Sequence, residues 1–398
     1  MKLDQQINQQ PTEVRFCKKC VVSNQRPRIV FDAEGVCSAC RYAEEKAQKI
    51  DWIDREKQLQ NLCAQHRSPS GAYDCIVPCS GGKDSSYVAH QLKYRYKMNP
   101  LTVTWSPFLP TEVGQKNLQN FLNAGFTNVL ATPNQMLHRK LARLAFIHLG
   151  DAWQPFAYGQ VCFAFHIALN FGIKLVFFGE NGEAEYGGST RNNAKSHMPL
   201  EDWNELYFKG VLPETLLENE EHHDETTEYK SKWAIEKKDL ADLTFYKPPI
   251  FENKIGVNTE MHWFSYYHKW IPQENYYYAT AHTDFSANPE RSEGTYSKYA
   301  SLDDKLDGFH YYMAYIKFGI GRATSDAAHE VRDGHLKREE AVQLVRRYDG
   351  EFPAKYFPEF LNYLNLDKDY FHEIVDQWRR QHLWKKEHGK WNLRKMVS

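Results

Sequence analysis

Residues 75–86 read Cys-Ile-Val-Pro-Cys-Ser-Gly-Gly-Lys-Asp-Ser-Ser. The hydroxyls of Ser80, Ser85 and Ser86 can donate to phosphate oxygens, Lys83 adds positive charge, and Asp84 can hold a magnesium ion. Gly81 and Gly82 let the backbone turn tightly, so consecutive N–H groups and the start of a helix face one point. The result is an anion site suited to the phosphates of a nucleotide. A plain Gly-Gly turn with serine N-caps would explain the glycines alone. All the defining positions together, set between a strand and a helix, favour the nucleotide. The spacing is not that of a Gly-x-x-x-x-Gly-Lys-[Ser/Thr] loop.

Such a loop needs a strand to launch it and a helix to receive it. Tyr73 to Pro78 reads as that strand, and an amphipathic helix follows at once. Further strands are expected at Leu101–Trp105, 128–131 and 174–178. Helices are expected over 112–125, 134–149 and 156–171. This alternation predicts an α/β fold, a parallel sheet covered on both faces, with ligands at the carboxyl ends of its strands. The loop at 80–86 and Gly179-Glu180-Asn181-Gly182-Glu183 both fall there. The second segment is either a turn or, through its carboxylates, the completion of a magnesium site with Asp84. Arg191, just beyond, is a candidate for a phosphate or a substrate carboxylate.

Four of the eight cysteines are spaced as Cys17-Lys-Lys-Cys20 and Cys37-Ser-Ala-Cys40, with sixteen residues between the pairs. Two C-x-x-C knuckles at this separation can bring four thiolates to one tetrahedral ion, which predicts structural zinc in a small ribbon with a hairpin across 26–35. Without a secretion signal, disulfides are disfavoured. Cys63, Cys75, Cys79 and Cys162 read as buried thiols.

Near the carboxyl end, Lys317 and Arg322 bracket Gly319 and Gly321. Two cations around permissive backbone can wrap a leaving pyrophosphate. Equally, the pattern fits a helix end with a glycine cap and basic residues opposing the dipole. Residues 214–239, centred on Glu218-Asn-Glu-Glu-His222-His223-Asp224, read as a solvated charged insertion. From Lys337 onward, amphipathic helices carrying Trp378 and Trp384 are expected.

The chain has 398 residues, a net charge of −1, 42% hydrophobic and 25% charged residues. That suits two or three packed units with ordinary cores. The neutral total offers no basic field for nucleic acid. The polar, Gln-rich start lacks a signal-peptide core, and no apolar run of membrane-spanning length occurs, so a cytoplasmic location without membrane insertion is expected. The 24 Tyr, 23 Phe and 10 Trp supply rings mostly for packing.

Together, the four-cysteine ribbon, Ser80-Gly-Gly-Lys-Asp-Ser-Ser86, Glu293-Gly-Thr-Tyr-Ser297, Leu302-Asp-Asp-Lys-Leu-Asp307 and Lys317-Phe-Gly-Ile-Gly-Arg-Ala-Thr324 resemble the N-acetyl sugar amidotransferases. These are PP-loop ATP pyrophosphatases of bacterial surface-polysaccharide (LPS, O-antigen) and flagellin-glycan biosynthesis. The resemblance runs from about residue 15 to about residue 385; the loop alone resembles only the superfamily. It implies an adenine nucleotide alpha hydrolase-like domain between a zinc ribbon and a mostly helical carboxyl-terminal region. The boundaries expected are 14–42 for the ribbon and 43–71 for a helical linker. The nucleotide core then spans 72–200, the remainder of the catalytic domain with the substrate site 201–335, and the helical region 336–398.

The implied activity turns a sugar acetamido group into an acetamidino group with ATP, releasing AMP and pyrophosphate. Ser80 to Ser86, Gly179 and Glu180 would hold the nucleotide. Asp84 would ligate Mg2+ with Glu183 as a further ligand, and Lys83, Lys317 and Arg322 would offset charge on pyrophosphate. The substrate class implied is a UDP-linked diacetamido uronic acid or a nonulosonic acid, its acid read by Arg191 or Arg291. No glutaminase nucleophile is evident, so a separate glutaminase and cyclase-like pair is the implied ammonia source. A tRNA-thiolating enzyme shares the loop, but only one cysteine follows it here. A non-catalytic zinc-ribbon scaffold would not need Lys83, Asp84 and Ser85.

Overall fold

Strands β1 (Cys75–Pro78), β2 (Pro100–Trp105), β3 (Asn128–Ala131), β4 (Leu175–Phe178) and β5 (Glu260–Trp263) form one sheet in the order β3-β2-β1-β4-β5. Every pairing is parallel, with Ile76 opposite both Leu101 and Val176, and Phe178 opposite Trp263. The computed structural model describes residues 2–197, 202–219, 237–249 and 259–398. Four strands and the α/β architecture follow the sequence expectation closely; β5 is additional. Its Glu-Met-His-Trp run has no β-branched residue and Trp263 alone favours a strand, so composition carries little signal there.

Successive residues of a strand point to opposite faces, and the core divides accordingly. Ile76 and Val176 pack with helices Gln135–Leu149 and Gln154–Phe171 on one face. Cys75, Val77, Leu175 and Phe177 pack with Leu59 of helix Trp52–Gln65, Val88 of helix Lys83–His90, and Trp270 on the other. Both faces are covered, so the strands can be apolar throughout.

Strand order fixes where a ligand can sit. The chain steps from β1 outward to β2 and β3, then returns to β4 on the other side of β1. The crevice between the carboxyl ends of β1 and β4 is therefore the topological switch point.

The cysteine-bearing segment lies against this body and meets the carboxyl-terminal region. It is built from isolated bridges, Phe16 with Ser23 and Phe31 with Cys37, in place of the expected hairpin strands. Helix Ser38–Gln48 starts at the second knuckle, and with Trp52–Gln65 fills the expected linker. Leu3 N–H donates to the His148 carbonyl at 2.8 Å, Arg338 Nε to the Cys20 carbonyl at 3.2 Å, and Lys395 Nζ to the Val14 carbonyl at 2.8 Å.

Helices Asp307–Phe318, Arg322–Asp333, Arg338–Tyr348, Phe357–Leu364 and Lys368–Trp378 form the carboxyl-terminal region. Helices do not continue to the end as expected: β6 (Trp384–Glu387) and β7 (Lys390–Leu393) make an antiparallel hairpin. His388 and Gly389, with φ of 49° and 77°, form its two-residue turn, the geometry whose twist suits a hairpin. Of the charged insertion expected near 214–239, residues 220–236 lie outside the described residues; helix Pro213–Glu218 leads into it. Among the described residues, no helix is long and apolar enough to cross a membrane.

Candidate functional site

The residues following β1 and β4 open onto one cavity of about 430 Å³. Ser80, Gly81, Gly82, Lys83, Asp84 and Ser85 line it from β1, and Gly179, Glu180 and Gly182 from β4. Tyr299 to Asp303 and Arg322 close it from the carboxyl-terminal side. Helix Lys83–His90 begins here with Gly82 at its N-cap, so its first free N–H groups face the cavity. Gly81 has φ +82°, and a Cβ there would meet the backbone of Leu118 at 2.6 Å. Only glycine fits that conformation and that approach.

The loop's side chains divide by role. Lys83 Nζ meets Asp84 Oδ2 at 2.5 Å, and Asn275 Nδ2 donates to Asp84 Oδ1 at 2.9 Å. Asp84 is thus aimed from both sides. Ser80 and the half-buried Asp303 face each other across the cavity, and Gly114, whose Cβ would lie 2.5 Å from Asp303 Cα, allows that segment to close in. Ser86, expected on the phosphates, is fully buried and lies against the Cys79 thiol instead. The helix turns it away from the cavity that Ser85 faces. Burial pushes the Cys79 thiol up to about 11, which makes it a packed group and no nucleophile.

Glu180 is the acidic residue of the second segment that faces the loop. Burial first, and then the charge of Asp84, push its carboxyl up to about 7. Two carboxylates held this way present hard oxygen ligands, and a divalent cation between them would relieve their repulsion. Glu183 does not join them. It pairs with Arg28 at 2.9 Å and accepts the Ser189 N–H at 3.0 Å, because the short helix Gly182–Tyr186 carries it toward the cysteine segment.

The two flanking cations also part company. Arg322 donates through Nε to Asp326 at 3.0 Å and lines the cavity. Lys317 is buried, with Nζ on Asp4 Oδ2 at 2.5 Å and the Leu149 carbonyl at 2.6 Å. Gly319 ends the helix in the left-handed conformation, φ +65°, and the reversal sends the cations on either side of it to different partners. Arg191 pairs with Asp202 at 2.9 Å and Arg291 with Glu351 at 2.6 Å, both away from the loop.

Residues without a sequence signal complete the site. Asn275 holds Asp84, Tyr299 lies under Lys83 with its ring centroid 5.6 Å from Nζ, and Trp263 comes from the unforeseen β5. Trp263 Nε1 is buried with no partner among the described residues. Leu302 to Asp307 belongs to the stretch that carries the resemblance, and the fold gives it a structural task. Asp304 accepts the N–H groups of Phe108 and Leu306, at 2.5 and 2.8 Å, and ties the region after β2 to this wall.

The cysteine cluster is preformed. The four Sγ atoms lie within 4.8 Å of one another, with Cys17 to Cys40 at 3.8 Å and Cys20 to Cys37 at 3.7 Å. A tetrahedron of zinc–sulfur bonds about 2.3 Å long requires edges of about 3.8 Å. The N–H groups of Lys19, Cys20 and Cys37 donate to Cys17 Sγ, stabilising it as a thiolate. The residues therefore fit structural zinc. All eight cysteines are buried, and Cys162, the single one after the loop, is inaccessible as a sulfur carrier.

Residues 293–397 match the family model described as LPS biosynthesis protein WbpG-like, C-terminal domain. Over these residues the chain is similar to a carboxyl-terminal domain of LPS biosynthesis proteins, and Arg322 lies within the matched stretch. An uncharacterized protein of Methanocaldococcus jannaschii is 27% identical over 88 residues, 22% of this chain. The matched stretch spans 31% of that relative's length.

Proposed function

We propose that the protein is an ATP-dependent amidotransferase of surface-glycan biosynthesis, converting an acetamido group of an acidic sugar into an acetamidino group. The observation that carries this reading is the meeting of loop residues 80–85, Glu180 and Arg322 around one cavity at the switch point of a parallel sheet. That is the setting of a nucleotide whose phosphates are cradled by backbone N–H groups and cations. The carboxyl-terminal likeness to LPS biosynthesis proteins supports a glycan precursor as the second substrate.

An amide carbonyl is a poor electrophile with a poor leaving group. Attack of its oxygen on the α-phosphate of ATP gives an O-adenylyl imidate and pyrophosphate. Ammonia then displaces AMP and leaves the amidine. In this scheme Ser80, Ser85 and the N–H groups of 81–84 bind phosphate oxygens. Lys83 and Arg322 offset the charge on departing pyrophosphate. Phe178, Val161 and Trp263 give the cavity an apolar wall for the base. Asp84 and Glu180 would hold Mg2+, which supplies charge neutralisation on the phosphates. Zinc at Cys17, Cys20, Cys37 and Cys40 would be structural. The resemblance implies a separate glutaminase and cyclase-like pair as ammonia source, docking on the carboxyl-terminal third, and the buried cysteines, which offer no exposed nucleophile for glutamine, support it.

The test is release of pyrophosphate and AMP from ATP with high ammonium and a panel of acetamido sugars, UDP-linked diacetamido uronic acids first. A sugar product lighter by the exchange of oxygen for NH, formed in step with AMP, is the expected result. Asp84→Asn should abolish release while the fold persists. Silence with every sugar, and release on adding tRNA with a sulfur donor, would overturn the reading.

A further inference from the structure

A second cavity, of about 370 Å³, adjoins the first and shares Gly182, Leu206 and Arg322 with it. Three side chains on its wall form a relay. His310 Nδ1 lies 2.9 Å from Asp151 Oδ1, and Lys209 Nζ donates to Asp151 Oδ2 at 2.6 Å. A carboxylate can only accept, so Nδ1 carries the proton of the neutral ring and Nε2 keeps its lone pair. Asp151 is 4% exposed while His310 remains partly open to the cavity. Burial by itself would raise the Asp151 carboxyl; His310 and Lys209 outweigh it and hold the group below the usual carboxylate range. A fixed anion thus orients an imidazole whose second nitrogen is available, the geometry of an aligned general base.

The surroundings suit an anionic acceptor. Arg26, Arg28 and Lys209 lie on the same wall, and Arg28 Nε is buried with no hydrogen-bond partner among the described residues. Arg322 stands between the cavities, its Nη1 on the hydroxyl of Tyr311, the residue next to His310. A molecule seated in the second cavity therefore meets the phosphate side of the first at Arg322.

Resting on the adenylating reading above, we propose that the acceptor sugar occupies this second cavity and that His310, aligned by Asp151, is the base of the amination step. The ammonia nitrogen bonds to the imidate carbon, and His310 Nε2 takes one proton from it. The carbon–oxygen bond to the adenylyl group breaks, its electron pair leaves on the AMP phosphate oxygen, and the carbon–nitrogen double bond re-forms as the amidine. Asp151 stabilises the imidazolium until it returns the proton to AMP or water. Adenylation itself does not need this base.

The two half-reactions can be read separately. Exchange of labelled pyrophosphate into ATP, with a UDP-linked diacetamido uronic acid present, reports adenylation. AMP and amidine formation with ammonium chloride report the whole. His310→Asn keeps a donor to Asp151 but has no basic nitrogen, and His310→Gln is the second variant should the first fold poorly. We expect amination to fall about 100-fold and exchange by less than about threefold. Hydroxylamine, a nucleophile unprotonated near neutrality, should restore much of the rate. Equal losses in both assays, or amination within about threefold of wild type, would overturn the assignment. A wild-type protein silent in exchange and in AMP formation would overturn the adenylating reading itself, and this proposal with it.

Discussion

The guanidinium of Arg322 lies 4.6 Å from the centroid of the Tyr311 ring and donates through Nη1 to its hydroxyl at 2.5 Å. With Asp326 on Nε, the contact fixes a planar cation at the junction of two cavities. A lysine would keep the charge and lose the fork.

Arg322→Lys should therefore lower the rate of pyrophosphate release by about 100- to 1,000-fold, the loss typical of one preorganised donor to developing charge. Steady-state kinetics with ATP and an acetamido sugar measure it, and circular dichroism checks the fold. A rate near wild type would show that the guanidinium is not at the phosphates.

Cys17→Ser should bind about one zinc fewer per chain and melt at lower temperature. Elemental analysis and thermal scans test this together. Because Arg332 Nη1 lies 3.9 Å from Cys20 Sγ and Arg338 reaches the Cys20 carbonyl, loss of the metal should also loosen the carboxyl-terminal region. Hydrogen exchange would locate that loosening in helices Arg322–Asp333 and Arg338–Tyr348. Wild-type protein free of zinc removes the metal assignment.

Lys317→Met should destabilise the fold by about 3–5 kcal/mol, since it strands the Asp4 carboxylate in the interior. Replacing both partners, with Asp4→Leu added, should recover most of that loss. Urea unfolding of the single and double variants decides it. A single variant as stable as wild type would show that the pair does not support the fold.

Glu180 carries a pH signature. Its carboxyl, pushed up to about 7 in the folded protein, keeps a proton between pH 4.5 and 7 that the unfolded chain gives up. The native state binds more protons across that window, so its contribution to stability is present at low pH and is lost as pH rises through about 7. Without ligands, Glu180→Gln should flatten this decline. Magnesium and ATP should stabilise the wild type most above pH 7. Melting curves against pH, with and without both ligands, measure the two effects.

Much of this was legible in the chain because the informative residues were local. The β1 strand, its loop and the receiving helix are contiguous, and the alternation of apolar strand and amphipathic helix placed β1 to β4 within a residue or two. The cysteine spacing foretold a cluster that the fold closes to bonding distance. What failed was direction. Glu183 is three residues beyond Glu180, yet a new helix begins between them and turns it to Arg28. Lys317 and Arg322 are near in sequence, but a left-handed glycine separates the helices that bear them. Ser86 shares a motif with Ser85 but sits on the buried side of the same helix. The β6–β7 hairpin could have been read from Trp384 to Leu393, where His388-Gly389 marks a tight turn, had its lysines not masked the alternation.

The contacts that hold segment 2–25 have a consequence for how the protein is made. Asp4, Gln10, Val14 and Cys20 are synthesised before their partners Lys317, Arg380, Lys395 and Arg338, with the whole nucleotide core between them. Until those partners emerge, the cysteine-bearing segment lacks the contacts that anchor it. Metal capture at the cysteines during that interval would give the early segment a shape to keep, and the late helices a finished surface to close on.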